Sequence, residues 1–291
     1  LMLGSWKIKV KGLPDQGKER VLVGNYLAQT TGAMLLAFGQ TFWMQSTSLE
    51  VYSLNIFMLA LNLYLLLRAW FSPKGATRPW LWLAGGLALG FANHLSFFAI
   101  LAPIAVLFFV KEGFTRQAGG TLLKMLGIFI PLLALLYLYL PLRAAADPAI
   151  NWGDPRTGET FWYHVSGKQF RVWFFTGFDP FKDELGKFVK GLGVEFFAGL
   201  LLLIPGFIHG FSHKRKITIA FLAMILVNLL YACNYHIKDL EPYFLPTNMA
   251  LAVIMTLGVR YLWLRAKLPP KTRPLIGLCL GLLVAASVVF N

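Results

Sequence analysis

The residues of this sequence that could do chemistry stand at the ends of apolar runs, not in their middles. Glu50 heads one run in STSLEVYSLN, Asn93 and His94 close another after GLALGFA, and Arg143 follows YLYLPL. Beyond Arg143 come Asp147, Asn151, Trp152, Asp154, Arg156, Glu159, His164, Lys168, Gln169 and Arg171, and NYHIKDLEPYF adds His236, Lys238, Asp239 and Glu241. Carboxylates such as Glu50 and Asp154 are the types that take a proton or orient a hydroxyl or a metal. Arginines such as Arg143 and Arg171 offer a planar fork to a phosphate. His94 and His164 are lesser partners for the same anion, and Asn93, Asn151, Trp152, Gln169 and Asp239 complete the candidate substrate contacts.

Each of these residues also has a plainer reading. A carboxylate at a helix start is favoured by the macrodipole, a lone histidine in apolar surroundings is commonly structural, and an arginine at a helix end snorkels to the interface. Asn151-Trp152-Gly153-Asp154-Pro155 reads equally as a turn, and the charges of 235–243 as a solvated loop. His164 and Arg171, seven apart, share a face if 159–175 is one helix. No zinc spacing, P-loop, nucleophile elbow or dinucleotide fingerprint is present, which argues against a nucleotide-dependent cytoplasmic enzyme. No metal site is expected.

The elements that must position these groups are set by composition. Of 291 residues, 57% are hydrophobic and 14% charged, and the mean hydropathy of +0.62 calls for a bilayer as solvent. The fold class is all-α, a polytopic transmembrane bundle in a single domain over 1–291. Its formal charge of +14 would suggest nucleic acid in a soluble protein, but here it is a topology signal, and no nucleic-acid partner is expected. Cys233 and Cys279 both fall inside apolar runs, which speaks against a disulfide framework.

Apolar runs punctuated by breakers predict spans near 21–43, 51–70, 80–92, 95–110, 121–142, 190–210, 217–234, 244–264 and 275–290, eight or nine membrane segments in all. Basic residues decide between one long helix and a hairpin at 80–110. Segments 1–20, 68–79, 111–124, 211–217 and 265–274 hold 18 of the 27 Lys and Arg residues. Lys and Arg mark cytoplasmic loops, and strict alternation places all five segments on one side only if 80–110 is a hairpin with Asn93-His94 at its tip. Both arms, near 13 and 16 residues, then read as too short to cross fully. Segment 143–189 becomes an outer-face loop or cap, whose aromatic content argues for order.

Polar positions inside the spans should face inward. Asn25, Gln29, Gly32 and Gln40 fall near helical spacing in the first span, as do Asn55 and Asn62 in the second. Gly86-x-x-x-Gly90 implies close helix contact. Hydrophobic self-similarity of the kind that marks a secondary transporter is absent, and so is a midplane cluster of ionisable residues.

Four strings carry a resemblance: FWMQSTSLEVYSLN, GLALGFANHLSFF, YLYLPLRAAADPAINWGDPRTGETFWYHVSGKQFR and NYHIKDLEPYFLP. Together, over about 20–265, they resemble a family of polytopic proteins long known as a domain of unknown function, related to protein O-mannosyltransferases and the GT-C glycosyltransferases. The resemblance implies a GT-C-like fold, a polyprenyl-phosphate-sugar donor, a protein or glycan acceptor, and inverting transfer on the periplasmic or luminal face. It leaves a divalent metal undecided. It also implies that the main catalytic carboxylate comes from a first outer loop expected upstream of Leu1, with Glu50 the second acidic position, so that this stretch alone is expected to be inactive. A bacterial inner membrane is the expected location, with membrane lipid and lipid-linked sugar as partners. The alternative is a non-enzymatic lipid or polysaccharide transporter or scaffold that keeps the fold.

Overall fold

The computed structural model describes residues 15–265 and 273–290, with side chains over 19–265 and 275–286. The opening LMLGSW and the basic side chains of Lys7, Lys9, Lys11, Lys18, Lys267, Lys271 and Arg273 lie outside the described set. The chain is an all-α bundle, and among the described residues extended pairing is limited to one isolated bridge between Phe174 and Tyr235. Six helical stretches are long and apolar enough to cross a bilayer, and a bent pair makes a seventh.

The bent pair replaces the single span expected at 21–43. Helix α1 (Asp15–Ala37) breaks at Phe38-Gly39, and α2 (Gln40–Thr47) leaves at 67°. Then come α3 (Tyr52–Phe71), α4 (Thr77–Asn93), and a 3-10 turn (Leu95–Ile100) that runs into α5 (Leu101–Glu112). The hairpin is present, with longer arms than the apolar runs alone suggested: 17 residues in α4, and 18 over Leu95–Glu112, enough for the second arm to cross. The runs understate the arms because Thr77, Arg78 and Pro79 belong to the first helical turn, where an orphan N–H is tolerated.

Helix α6 (Arg116–Tyr137) packs on α4, and only 6% of the apolar window from Arg116 to Ala145 is covered, so this span turns mainly toward lipid. Short α7 (Tyr139–Ala145) and α8 (Gly158–Val165) follow, then a 3-10 turn (Lys168–Trp173). No single helix covers 159–175, because Gly167 takes a left-handed conformation (φ 60°) that ends α8. Helix α9 (Phe178–Phe196) starts well before the expected 190, since Phe181, Leu185, Phe188 and Leu192 line one face at helical spacing while charges occupy the other. It breaks into a 3-10 turn (Phe197–Leu202) and α10 (Leu203–His213). Helix α11 (Arg215–Ala232), a 3-10 turn (Glu241–Phe244), α12 (Leu245–Arg265) and α13 (Arg273–Phe290) complete the chain.

Helix α12 is the axis, with 94% of its apolar window covered by α1, α10 and α11. Glycine permits that approach: a Cβ on Gly258 would stand 2.1 Å from the Leu202 carbonyl, and one on Gly206 2.2 Å from that of Ile254. The inward polar face is confirmed for Asn25, Asn55 and Asn62, all buried. Asn62 donates to the Met58 and Gly86 carbonyls at 2.9 Å, which ties α3 to the small-residue row of α4.

The described basic segments share one end of the bundle. Lys111 donates to the Ala69 carbonyl and to Ser72 Oγ, Lys214 and Lys216 sit over the rings of Phe71 and Trp70, and Arg20 reaches the Trp263 and Leu264 carbonyls. Segments 68–79 and 111–124 are therefore neighbours, as the hairpin requires. The opposite end carries 48–51, 93–94, 146–177 and 233–240.

Candidate functional site

At that opposite end a cavity of about 1040 Å³ opens between α4, α7, α8 and α11. Its floor is built around His94, where the chain leaves α4 in extended form (φ −156°, ψ 137°) before the 3-10 turn. The Ser96 N–H donates to His94 Nδ1 at 3.2 Å, and Ser96 Oγ lies 2.7 Å from the same nitrogen while accepting from Asn55 Nδ2 at 3.4 Å. Nδ1 is thus the acceptor and the ring proton belongs on Nε2. Burial holds the imidazolium down, to a pKa of about 4, so the ring is neutral at physiological pH and presents one N–H donor.

Aromatic rings enclose this imidazole. Tyr52 and Tyr243 lie 5.3 and 5.6 Å from it, and Tyr235 continues the wall to Phe174, stacked at 4.3 Å. Backbone bonds from Phe175 N–H to Asn234 O (3.0 Å) and from His236 N–H to Trp173 O (2.9 Å) pin the loop after α8 to the loop after α11. Asn228 fixes the base of Tyr243: its Nδ2 donates to the Tyr243 carbonyl at 3.0 Å while its Oδ1 accepts from Thr247 Oγ1 at 2.7 Å.

Of the residues singled out in the sequence, Asn93, His94, Trp152, His164, Gln169 and Arg171 line this cavity together. His164 and Arg171 meet there from separate elements, across the Gly167 turn. Arg171 is exposed at the rim and makes no ion pair among the described residues. His164 Nδ1 is buried without a hydrogen-bond partner, beside the Gly153 turn (φ 72°).

The others stand apart from the lining. Asp154 Oδ1 accepts from Asn151 Nδ2 at 2.8 Å and from Arg156 Nε at 2.7 Å, and Asp147 takes the same guanidinium, so Asn151 and Asp154 close a turn. Arg143 is exposed at the end of α7, whose Tyr139 and Leu140 line the cavity. Glu50 and Asp239 are exposed but within electrostatic reach of Tyr52. Sequence reasoning missed the wall of Tyr52, Tyr231, Tyr235 and Phe174, because aromatic residues at a membrane boundary are expected for anchoring alone. Among the described residues no three His, Cys, Asp or Glu side chains gather as metal ligands.

Residues 3–117 match a family described as the protein O-mannosyl-transferase TMEM260 N-terminal domain, in agreement with the family resemblance of the four strings. The match takes in Glu50, Asn93 and His94 and points to a glycosyltransferase of the protein O-mannosyltransferase-like kind. No curated protein and no solved structure matches the chain.

Proposed function

We propose that this chain is part of an inverting membrane glycosyltransferase that moves a sugar from a polyprenyl-phosphate donor to an acceptor hydroxyl, at the periplasmic or luminal face. The observation that carries the proposal is the cavity itself. It joins a large apolar and aromatic enclosure, suited to an isoprenoid chain and the faces of a sugar, to a neutral N–H donor on His94 and a cationic rim at Arg171. The family match supplies the reaction class. Its position opposite the basic segments favours the outer face, since Lys and Arg collect in cytoplasmic loops.

In the reaction the acceptor hydroxyl loses its proton to a carboxylate, and its oxygen bonds to the anomeric carbon as the bond from that carbon to the donor phosphate breaks. The leaving polyprenyl phosphate gains a negative charge, which Arg171 meets through charge-assisted hydrogen bonds and His94 through its Nε2 proton. Glu50, within electrostatic reach of Tyr52, is the carboxylate this reading assigns to orienting the acceptor.

The test is to reconstitute the protein in liposomes and follow label from a set of polyprenyl-phosphate sugars into an acceptor protein. One donor should give covalent transfer that Arg171→Ala, at the exposed rim, reduces at least tenfold with the melting temperature retained. Movement of the lipid-linked sugar across the bilayer without covalent transfer would establish the transporter alternative.

A further inference from the structure

A second polar cavity, of about 230 Å³, lies between α2, α9 and the start of α12. Two broken spans meet at its wall. The α1–α2 span breaks at Gly39, and α9 ends next to Glu195, where Phe197 takes a left-handed backbone (φ 43°). Glu195 joins the two breaks: its Oε2 accepts from the Thr41 N–H at 3.0 Å and so caps α2.

The other carboxylate oxygen, Oε1, is buried with no partner in hydrogen-bond geometry. Glu195 is 6% exposed and Asn248 3%, and both line the cavity. The Thr41 side chain, the Phe42 N–H and the Asn248 side chain also stand close enough to act on the carboxylate as hydrogen-bonding groups, yet Glu195 Oε1 and Asn248 Oδ1 are both buried with no partner in hydrogen-bond geometry. Two orphaned acceptors side by side call for a ligand that brings donors. The same cavity offers an apolar platform, since the rings of Phe188 and Phe244 lie 4.6 Å apart at 31° on its wall. At the mouth, Glu184 is engaged by Lys187 at 2.7 Å while exposed Glu241 makes no ion pair among the described residues, so a small organic cation is the competing occupant that the experiment must exclude. A groove of about 620 Å³ shares Glu184, Lys187, Leu240 and Glu241 and leads to the surface at Trp173 and His236.

We infer that this cavity is a binding site for an uncharged, hydroxyl-rich ligand, a sugar unit, whose O–H groups donate to Glu195 Oε1 and Asn248 Oδ1 while its C–H face rests on Phe188 and Phe244. It is separate from the larger cavity, which lies on the other side of the strip formed by 173–175 and 234–236: Phe174 and Tyr235 face that cavity, Trp173 and His236 this groove. The inference stands on the orphaned acceptors and holds whether or not the transfer reaction does.

The experiment measures equilibrium binding of radiolabelled methyl α-mannopyranoside to the detergent-solubilised protein, with no donor lipid and no turnover. Saturable binding is expected, weakened at least tenfold by Asn248→Leu, which removes the amide oxygen at similar volume. Glu195→Gln should weaken it equally, because the amide can keep the Thr41 bond while its Nε2 donates to Asn248 and fills both orphans. Arg171→Ala, at the rim of the other cavity, should leave binding unchanged. Absence of saturable binding to the unaltered protein would mean that water alone fills the cavity and would overturn the inference. So would full binding in both variants, displacement by methylammonium chloride at equal concentration, or competition by a polyprenyl-phosphate sugar.

Discussion

Trp80 Nε1 donates to the Glu112 carboxylate at 3.1 Å, which ties the first turn of α4 to the last turn of α5. The second oxygen of Glu112 accepts from the Gly75 N–H at 2.8 Å, and the Lys111 ammonium stands 3.7 Å from the first. Trp80 and Glu112 are buried at the basic end, so the hairpin is closed by one carboxylate. Glu112→Ala strands two donors and a cation and should cost about 3 kcal/mol. Glu112→Gln keeps an acceptor and should cost about half as much. Thermal melting in detergent reads both, and an unchanged midpoint for the alanine variant would show that the hairpin closes without this contact.

Side-specific labelling tests the placement of the two ends. Single cysteines at Ser46, Thr157 and Asp239, all exposed at the cavity end, should react with an impermeant thiol reagent in intact cells, whereas one at exposed Ser212 should not. Asp239 is the position of choice over its neighbour Leu240, which is buried. Exposed Cys279 must first be replaced by serine, while Cys233 is buried with its thiol pushed up to about 11 and stays silent. Reaction at 212 together with silence at 46 and 157 would invert the orientation.

The neutral His94 gives a pH signature. Burial lowers its pKa to about 4 from the ordinary 6.5, so between those values the unfolded chain binds a proton that the folded one refuses. Stability should therefore be full above about pH 6.5 and fall as the pH drops toward 4, by about 3 kcal/mol at most. Melting curves of the unaltered protein and His94→Gln between pH 4.5 and 7 should diverge only on the acid side. Parallel curves would mean that the ring accepts a proton in place.

The hairpin was legible because basic residues on one side of a membrane are a counting constraint, and Lys111 contacting Ser72 is its consequence. The break at Phe38-Gly39 was not, since no proline marks it and the carboxylate that caps α2 comes from Glu195, distant in sequence. The early start of α9 was hidden because Asp179, Lys182, Asp183 and Glu184 look like loop until their apolar partners Phe181 and Leu185 are placed at helical spacing. For the site, Asn93, His94, Gln169 and Arg171 could be chosen by chemical type. The convergence of His164 and Arg171 could not be derived, because it depends on a left-handed turn at Gly167 and on the Phe174–Tyr235 bridge between distant loops.

Arg171, Arg143 and Glu50 separate chemistry from folding most cleanly. All three are exposed and at the cavity end, so replacing any of them should change stability by about 0.5 kcal/mol or less. They differ in position, because only Arg171 lines the cavity. A guanidinium that meets the departing phosphate contributes about 1.5–3 kcal/mol to the transition state, so Arg171→Ala should lower kcat/KM for transfer by about ten- to a hundredfold. Arg171→Lys should recover only part of this, since an ammonium cannot reproduce the bidentate fork. Arg143→Ala, one helix end away from the lining, should lower transfer by less than about threefold if its role is interfacial anchoring. Glu50→Gln should raise KM for the acceptor more than it lowers kcat if the carboxylate orients the hydroxyl, and should reduce kcat itself if it takes the proton. Melting temperature and transfer kinetics measured on the same preparations decide among these outcomes. Normal transfer in Arg171→Ala would remove the rim from the site, and a loss confined to Arg143→Ala would move the phosphate to the end of α7.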